Sequence, residues 1–184
     1  IRELALISFP IKALFEEKLN DFDLIIFDRY RRRGVIPLSY LDNIAAYVED
    51  GGALLSAAGP AFAGEASLAR TGLAYVLPAR PTGEVFEGGF RPTLTDVGRR
   101  HPVTAALAGA GAPGESADWG RWFRQINVDL ATGSAAVLMA GVEERPILVL
   151  DRVKEGRVAQ LLTDHMWLWA RGFEGGGPQA DLLR

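Results

Sequence analysis

The stretch FDLIIFDRYRRRGVIPLSYLDNIAAYVEDGGALLSAAGP, residues 22–60, decides the fold. It opens with a short continuous apolar run, residues 22–28, which is typical of a strand covered on both faces. Apolar residues then recur at helical spacing from Leu38 to Val48, with Pro37 before them and two glycines after them. A second apolar run, ALLSA, follows. This order predicts a right-handed βαβ unit within a mostly parallel sheet.

The second strand of this unit ends in a glycine-marked turn, SAAGP. Many α/β hydrolases carry their nucleophile on such a turn, directly after a strand. Here Ala58 and Gly59 occupy the apex, and neither has a side chain that can attack a substrate. Ser56 is the nearest hydroxyl, but it comes two positions early and is still on the strand. The turn therefore has the form of a nucleophile elbow without a nucleophile.

Composition limits the kind of protein this can be. The chain has 184 residues, of which 48% are hydrophobic and 23% charged, and these values predict one globular domain over residues 1–184. A formal net charge of −3 argues against a nucleic-acid-binding surface. The absence of cysteine excludes disulfides, thiolate metal sites and a cysteine nucleophile. No run is long enough to span a bilayer. From its first and last residues we expect a domain truncated at both ends.

The remainder of the chain predicts weaker elements. Residues 65–78 indicate a helix, although Gly72 weakens it. Residues 80–120 are rich in glycine and proline and predict a long, irregular excursion that contains irregular strands and packs against the sheet. Three β-like runs follow, AAVLMAG, RPILVLDRV and GRVAQLL. The last two are joined by KEG, which predicts an antiparallel hairpin with Gly156 at a positive φ.

In open α/β sheets, ligands bind beyond the carboxyl ends of the parallel strands. The first strand delivers Asp28 and Tyr30 to that edge, and a later strand delivers Asp164 and His165. His165 has the side chain and the position of a general base. A hydrolase would need it to act together with Ser56 or Asp28, and this alternative stays open.

Two further patterns follow the later strand. The carboxylates near His165 lack the spacing of a metal-binding motif, so we expect neither a metal ion nor another cofactor. Trp167 and Trp169 stand two residues apart in a predicted loop. Aromatic side chains in such a position either cover the core or form a protein-contact surface.

Five segments occur in the same order as in a known family of domains: DLIIFDRY, YVEDGGALLSAAGP, HPVTAAL, GRVAQLLTDHMWLW and GGGPQADLLR. From about residue 23 to residue 184 the chain resembles the class I glutamine amidotransferase-like domains of bacterial membrane proteins. The resemblance implies a flavodoxin-like, doubly wound α/β/α fold of three layers. Its sheet would be mostly parallel with an antiparallel hairpin at one side. It also implies that a first strand and helix are missing from this chain.

The same resemblance implies that the family's chemistry has been lost. Ala58 falls where active members carry the catalytic cysteine, His165 falls near their histidine, and Trp167 replaces the acidic partner two residues later. Alanine cannot form a glutamyl thioester. The resemblance therefore implies a non-catalytic binding or scaffolding module. Four residues are candidates for binding: Tyr30, Asp164, Trp167 and Trp169.

The family also suggests a setting. By resemblance, the domain is an extracytoplasmic part of a larger inner-membrane protein, with the membrane reached only through regions outside this chain. Its partner would be another protein or other domains of the same polypeptide, and not a nucleic acid. Two alternatives stay open, a hydrolase using His165 with Ser56 or Asp28, and a structural element that only spaces its neighbours.

Overall fold

The computed structural model describes residues 10–184. Its strands are β1 (Leu24–Asp28), β2 (Ala53–Ala57), β3 (Ala79–Phe90), β4 (Thr93–Leu94), β5 (Trp122–Leu130), β6 (Ala136–Ala140), β7 (Pro146–Val153) and β8 (Gly156–Leu161). The α-helices are α1 (Leu38–Glu49), α2 (Met166–Ala170) and α3 (Gln179–Leu182). Shorter helical turns occupy Ala13–Glu17, Leu19–Asp21, Pro60–Ala63, Leu68–Arg70, Gly72–Tyr75, Val142–Glu144 and Phe173–Gly175.

The main sheet mixes parallel and antiparallel strands in the order β1-β2-β8-β7-β6-β4. Strands β1, β2 and β8 run parallel, and β7 returns antiparallel to β8. The predicted mixed α/β fold, with parallel strands and an antiparallel hairpin at one side, is confirmed. The antiparallel part is larger than predicted, because β6 pairs with β7 and β4 pairs with β6.

The hairpin between β7 and β8 turns differently from the prediction. Lys154, and not Gly156, has the positive φ, at 52°. Gly156 is required for another reason: a Cβ there would lie 1.8 Å from the carbonyl oxygen of Val48. The glycine therefore lets the start of β8 approach the end of α1.

Helix α1 covers one face of the parallel strands, as the spacing predicts. Its buried side chains include Leu41, Ile44 and Val48, and they share the core with Leu54 of β2 and Val158 of β8. Successive strand residues face opposite sides of a sheet, so alternate positions of β2 and β8 form the floor under this helix. The main core of the protein lies on this side.

The opposite face of the same strands is open. Leu24 and Ile26 of β1 are 46% and 55% exposed, although both are large and apolar. The prediction that β1 is covered on both faces is therefore wrong for the part of the chain that the structure describes. The expected missing strand and helix concern sequence outside these residues.

The predicted helix over residues 65–78 is wrong. Two short helical turns, Leu68–Arg70 and Gly72–Tyr75, take its place. The hydroxyls of Ser67 and Thr71 accept hydrogen bonds from the N–H groups of Ala69 and Leu73, so each turn has its own cap. Side chains that bond to the local backbone in this way compete with a continuous helix.

The region 80–120 holds most of β3 and all of β4. Strand β3 pairs antiparallel with β5 to form a second, two-stranded sheet, with register shifts between Pro81 and Val85 and between Glu87 and Phe90. The bulges explain why no simple alternation appears in the sequence. Strand β5 itself was not predicted.

Candidate functional site

The ends of the three parallel strands meet at one edge of the main sheet. Arg29 donates its N–H to the carbonyl of Ala57 at 2.9 Å, and Ala58 donates to the carbonyl of Leu161 at 2.8 Å. The backbone ladder therefore continues one residue past β1 and one residue past β2. It holds the segments after β1, β2 and β8 side by side, as expected for the carboxyl edge of parallel strands.

Two charged side chains approach the apex of the turn after β2. Ala58 is only 3% exposed. At Gly59, an added Cβ would lie 3.4 Å from Cγ of Arg29 and 3.6 Å from Oδ2 of Asp164. Arg29 itself has a φ of 49°, which is uncommon for a residue other than glycine. Arg29 and Asp164 are therefore both in van der Waals contact with the position that a side chain at Gly59 would take.

An ion pair with the half-buried Arg124 fixes the buried Asp164. Nη1 of Arg124 lies 3.2 Å and 3.1 Å from the two carboxylate oxygens, and the Asp164 side chain is 5% exposed. Nε of Arg124 also donates to Glu87 at 3.3 Å. A carboxylate removed from water needs such a cation and its hydrogen bonds to stay charged. Asp164 is thus a partner of Arg124 and is not free to bind a ligand by itself.

The ring of His165 is held by the backbone. Its Nδ1 accepts a hydrogen bond from the N–H of Phe123 at 3.0 Å, which places the proton of the neutral ring on Nε2. Nε2 lies 3.7 Å from an oxygen of Asp164. Burial lowers the pKa of His165, an effect that Asp164 opposes and Arg124 reinforces. The ring is neutral near pH 7, and the lone pair that a general base needs is already occupied.

The other candidate catalytic residues lie apart from this arrangement. Ser56 is 2% exposed and sits within β2, in register with Phe27 and Gln160 of the neighbouring strands. Asp28 is exposed, with its carboxylate 4.0 Å from Nε of Arg29. One is buried in the sheet while the other is in solvent. Within residues 10–184, no three histidine, aspartate or glutamate side chains gather as a metal site.

The two tryptophans have different environments, because residues 166–170 form helix α2 and not the predicted loop. Residues two apart on a helix lie on nearly opposite sides. Trp167 is 46% exposed, with the guanidinium of Arg171 over its ring at 5.5 Å. Trp169 is buried, stacks on Trp122 at 4.3 Å and donates from Nε1 to the carbonyl of Gly120 at 2.7 Å. Trp169 is a core residue and cannot form a contact surface.

Tyr30 is less exposed than Trp167 and less buried than Trp169. Its ring packs edge-on against Phe27 with 5.1 Å between centroids. Its hydroxyl is buried without a hydrogen-bond partner among the described residues, and this burial raises the pKa of Tyr30. The residue supports the turn after β1 more than it presents a polar group to solvent.

Arg124 is the residue that the sequence reasoning missed. It lies on β5, where Trp122, Ile126 and Val128 are buried at alternate positions. Arg124 occupies the same alternating series, so it is a charged residue at an inward position. A period-two apolar run interrupted by one arginine is the signal that could have identified it.

Comparison with known proteins finds likeness in structure alone, because no protein-family model and no curated protein matches the chain. Cytoplasmic protein STM3548 from Salmonella typhimurium is similar with a TM-score of 0.73 and 23% identity, over 96% of this chain and 74% of that one. Cytoplasmic protein STM1381 from Salmonella typhimurium LT2 gives 0.67 and 26%. That match covers 85% of this chain but only 65% of the length of STM1381. A ThuA-like protein from Bacteroides uniformis gives 0.61 and 16%, over 94% and 71%.

These comparisons correct one expectation. The predicted extracytoplasmic location in an inner-membrane protein is wrong, because the two similar Salmonella structures are of cytoplasmic proteins. Among residues 10–184, no helix combines the length and the apolar character that crossing a bilayer requires. The chain shares its mixed α/β fold with these proteins.

Proposed function

We propose that this chain is a non-catalytic binding module, in which the strand-end edge is a rigid support and the neighbouring aromatic residues form the contact surface. The observation that carries the proposal is the buried Ala58 at the apex of the turn after β2. Without a nucleophile there, this edge has no group to start acyl transfer.

The surroundings of the apex support the same proposal. The Arg124–Asp164 ion pair and the backbone bond to His165 use the polar groups that a catalytic site would keep free. An acid–base catalyst must be able to take up and release a proton at an atom that faces its substrate. Here Nδ1 of His165 is an acceptor for the chain's own backbone. The polar groups at this edge therefore stabilise the fold and are not free to act on a substrate.

The contact surface begins at Phe123, which lies beside His165 at this edge. We call aromatic rim the group of Phe123, Phe173 and Arg121 together with the pair of Trp167 and Arg171. Trp167 and Phe173 are 46% and 43% exposed. Phe173 packs edge-on against Phe123, and Arg121 lies over the Phe123 ring at 5.4 Å. Exposed aromatic residues accompanied by arginine are enriched at protein–protein contacts. A protein partner is thus the ligand that this surface fits best.

The finer architecture belongs to the same proposal. We infer a flavodoxin-like fold of amidotransferase-like origin, in which the helical layer on one face is present and the layer on the open face is not among residues 10–184. In support, α1 covers one face of the parallel strands, and the turn after β2 keeps the form of a nucleophile elbow. The similar solved structures add the fold but no activity that could be transferred.

An activity assay tests the first half of the proposal. The purified chain should not hydrolyse glutamine or a panel of activated esters above the rate of the buffer. The variants Ser56→Ala and His165→Ala provide the matched comparison. If the wild-type chain turned over any of these substrates and both variants lost the activity, a hydrolase would replace the binding module.

A cross-linking experiment tests the second half. The tagged chain is cross-linked in an extract of its own host, and the captured proteins are compared between the wild type and Trp167→Ala/Phe173→Ala. Tyr75→Ala is the control, because Tyr75 is 83% exposed and lies outside the rim. We expect a defined partner to be lost from the rim variant alone. Capture that is the same for all three proteins would contradict the proposed surface.

A further inference from the structure

The open face of the main sheet forms a groove, and none of the residues of the aromatic rim lines it. Its volume is about 1150 Å³. Apolar side chains of β1, β2, β8 and β7 form the floor, among them Leu24, Ile26, Leu55 and Leu150. The turn around Val103 and the end of α3 close its sides. The floor of the groove is therefore apolar and the residues at its ends are polar.

Two arginines stand together at one end of this groove. Arg152 on β7 and Arg157 on β8 are directly opposite each other in the antiparallel register, so their side chains lie on the same face. Both line the groove, and neither forms an ion pair within residues 10–184. Like charges at opposite positions of a strand pair are unfavourable. A negative group placed beside them would remove this repulsion.

The other aspartate and arginine residues of the lining are Asp151, Asp181 and Arg184. Asp181 pairs with Arg184 at 3.1 Å. Asp151 accepts hydrogen bonds from the hydroxyl of Thr132 and from the backbone of Arg152. Asp151 keeps its negative charge, so the three arginines and two aspartates of the lining sum to +1. Because Asp181 pairs with Arg184, this excess positive charge lies at the end where Arg152 and Arg157 stand.

The dimensions of the floor fit one short helix. Strands β1 and β2 have five residues each, or about 17 Å at about 3.3 Å per residue. On the other face of the same strands, α1 has 12 residues, or about 18 Å. The backbone groups inside the sheet are already paired, so an added strand has no bonds to make on this face. A helix with an apolar stripe is the element that packs on a sheet face.

We propose that this groove binds an amphipathic helix of about 12 residues from a partner protein, with acidic side chains at the end that meets Arg152 and Arg157. The apolar stripe of the helix covers the floor around Ile26 and Leu55, and its carboxylates pair with the two arginines. The partner is therefore a protein segment that forms a helix with one apolar face and with acidic residues at one end. This inference concerns a surface separate from the aromatic rim and does not rest on the proposed function.

Fluorescence anisotropy with three synthetic peptides tests the proposal. The first peptide is a helix-forming sequence of alanine and leucine with one apolar stripe and glutamates in its first turn. In the second, lysines replace the glutamates, and in the third, the first sequence is scrambled to destroy the stripe. We expect the acidic peptide to bind the chain about 10-fold more tightly than either of the others.

Variants of the chain locate the binding. Ile26→Asp should weaken the acidic peptide about 10-fold, because it places a charge on the apolar floor. Arg152→Glu/Arg157→Glu should reverse the order of affinity, so that the basic peptide binds more tightly than the acidic one. Tyr75→Asp, at an exposed position outside the groove, should leave binding unchanged. Circular dichroism checks that each variant is folded.

Several results would overturn the inference. These are an acidic peptide that does not bind, a scrambled peptide that binds equally well, and a double arginine variant that keeps the original preference. A dimer of the wild-type chain in light scattering that Ile26→Asp dissociates would assign the face to a second copy. Peptide binding that appears only after deletion of residues 1–9 would assign it to that segment.

Discussion

The ion pair between Arg124 and Asp164 makes an asymmetric prediction about stability. Asp164 is 5% exposed, and Arg124 is the one cation that the described residues place at salt-bridge distance from it. The ring of His165 lies 3.7 Å away but is neutral. Arg124 is 26% exposed and has a second partner, Glu87. Removal of the arginine therefore leaves a buried carboxylate unpaired, while removal of the carboxylate leaves a cation that still reaches Glu87 and water.

The expected magnitudes follow from burial. Arg124→Met should lower the free energy of unfolding by about 3 kcal/mol, the lower end for breaking a buried pair, because Nε2–H of His165 is near enough to help. Asp164→Asn keeps the shape of the side chain and should cost about 1 kcal/mol. Glu87→Gln, at a side chain that is 68% exposed, should cost less than about 1 kcal/mol.

Urea denaturation and thermal melting measure these differences. In a chain of this size, about 3 kcal/mol corresponds to a fall in Tm of about 6–12 °C. The double variant Arg124→Met/Asp164→Leu should be more stable than the sum of the Arg124→Met and Asp164→Leu losses predicts, because it leaves no unpaired charge in the interior. Equal losses for Arg124→Met and Asp164→Asn, or a larger loss for Asp164→Asn, would refute this reasoning.

Three more predictions concern single positions. Trp169→Ala should cost about 3–5 kcal/mol, while Trp167→Ala should stay within about 0.5 kcal/mol, as read from their urea midpoints. Gly156→Ala should cost about 1–3 kcal/mol because its Cβ meets a carbonyl of α1, whereas Gly133→Ala, with no atom within 4 Å of the added Cβ, should be neutral in the same assay. Burial lowers the pKa of His165, so the unfolded chain takes up that proton more readily. The stability that this shift contributes is present above about pH 6.5 and is lost as the pH falls, so the wild type should lose more stability between about pH 7.5 and 5.5 than His165→Gln. An identical loss in both proteins would contradict the assignment of His165 as a neutral, buried ring.

Much of the fold could be predicted because it depends on local spacing. The apolar series from Leu38 to Val48 forms helix α1, and the runs around it form β1 and β2 in parallel register. The hairpin of β7 and β8 was also predicted. Its turn was not, because the need for Gly156 comes from α1, more than 100 residues earlier in the chain.

The candidate site was predictable in part. The position of each strand end brought Asp28, Ala58 and His165 to one edge of the sheet, and the structure places them there. The roles of the polar groups could not be predicted from the sequence. Phe123 lies 42 residues from His165, and Arg124 lies 40 residues from Asp164, so neither partner belongs to the same local pattern.

The sequence by itself determined the chemistry that the apex lacks, since Ala58 has no reactive group in any fold. It also determined α1 and its flanking strands, because side chains three or four residues apart share a helix face wherever the helix lies. The tertiary structure alone decided which tryptophan is buried, which carboxylate is paired and which face of the sheet is open. These depend on the packing of β5 and on how far the elements cover one another, and such contacts join residues that are distant in the chain.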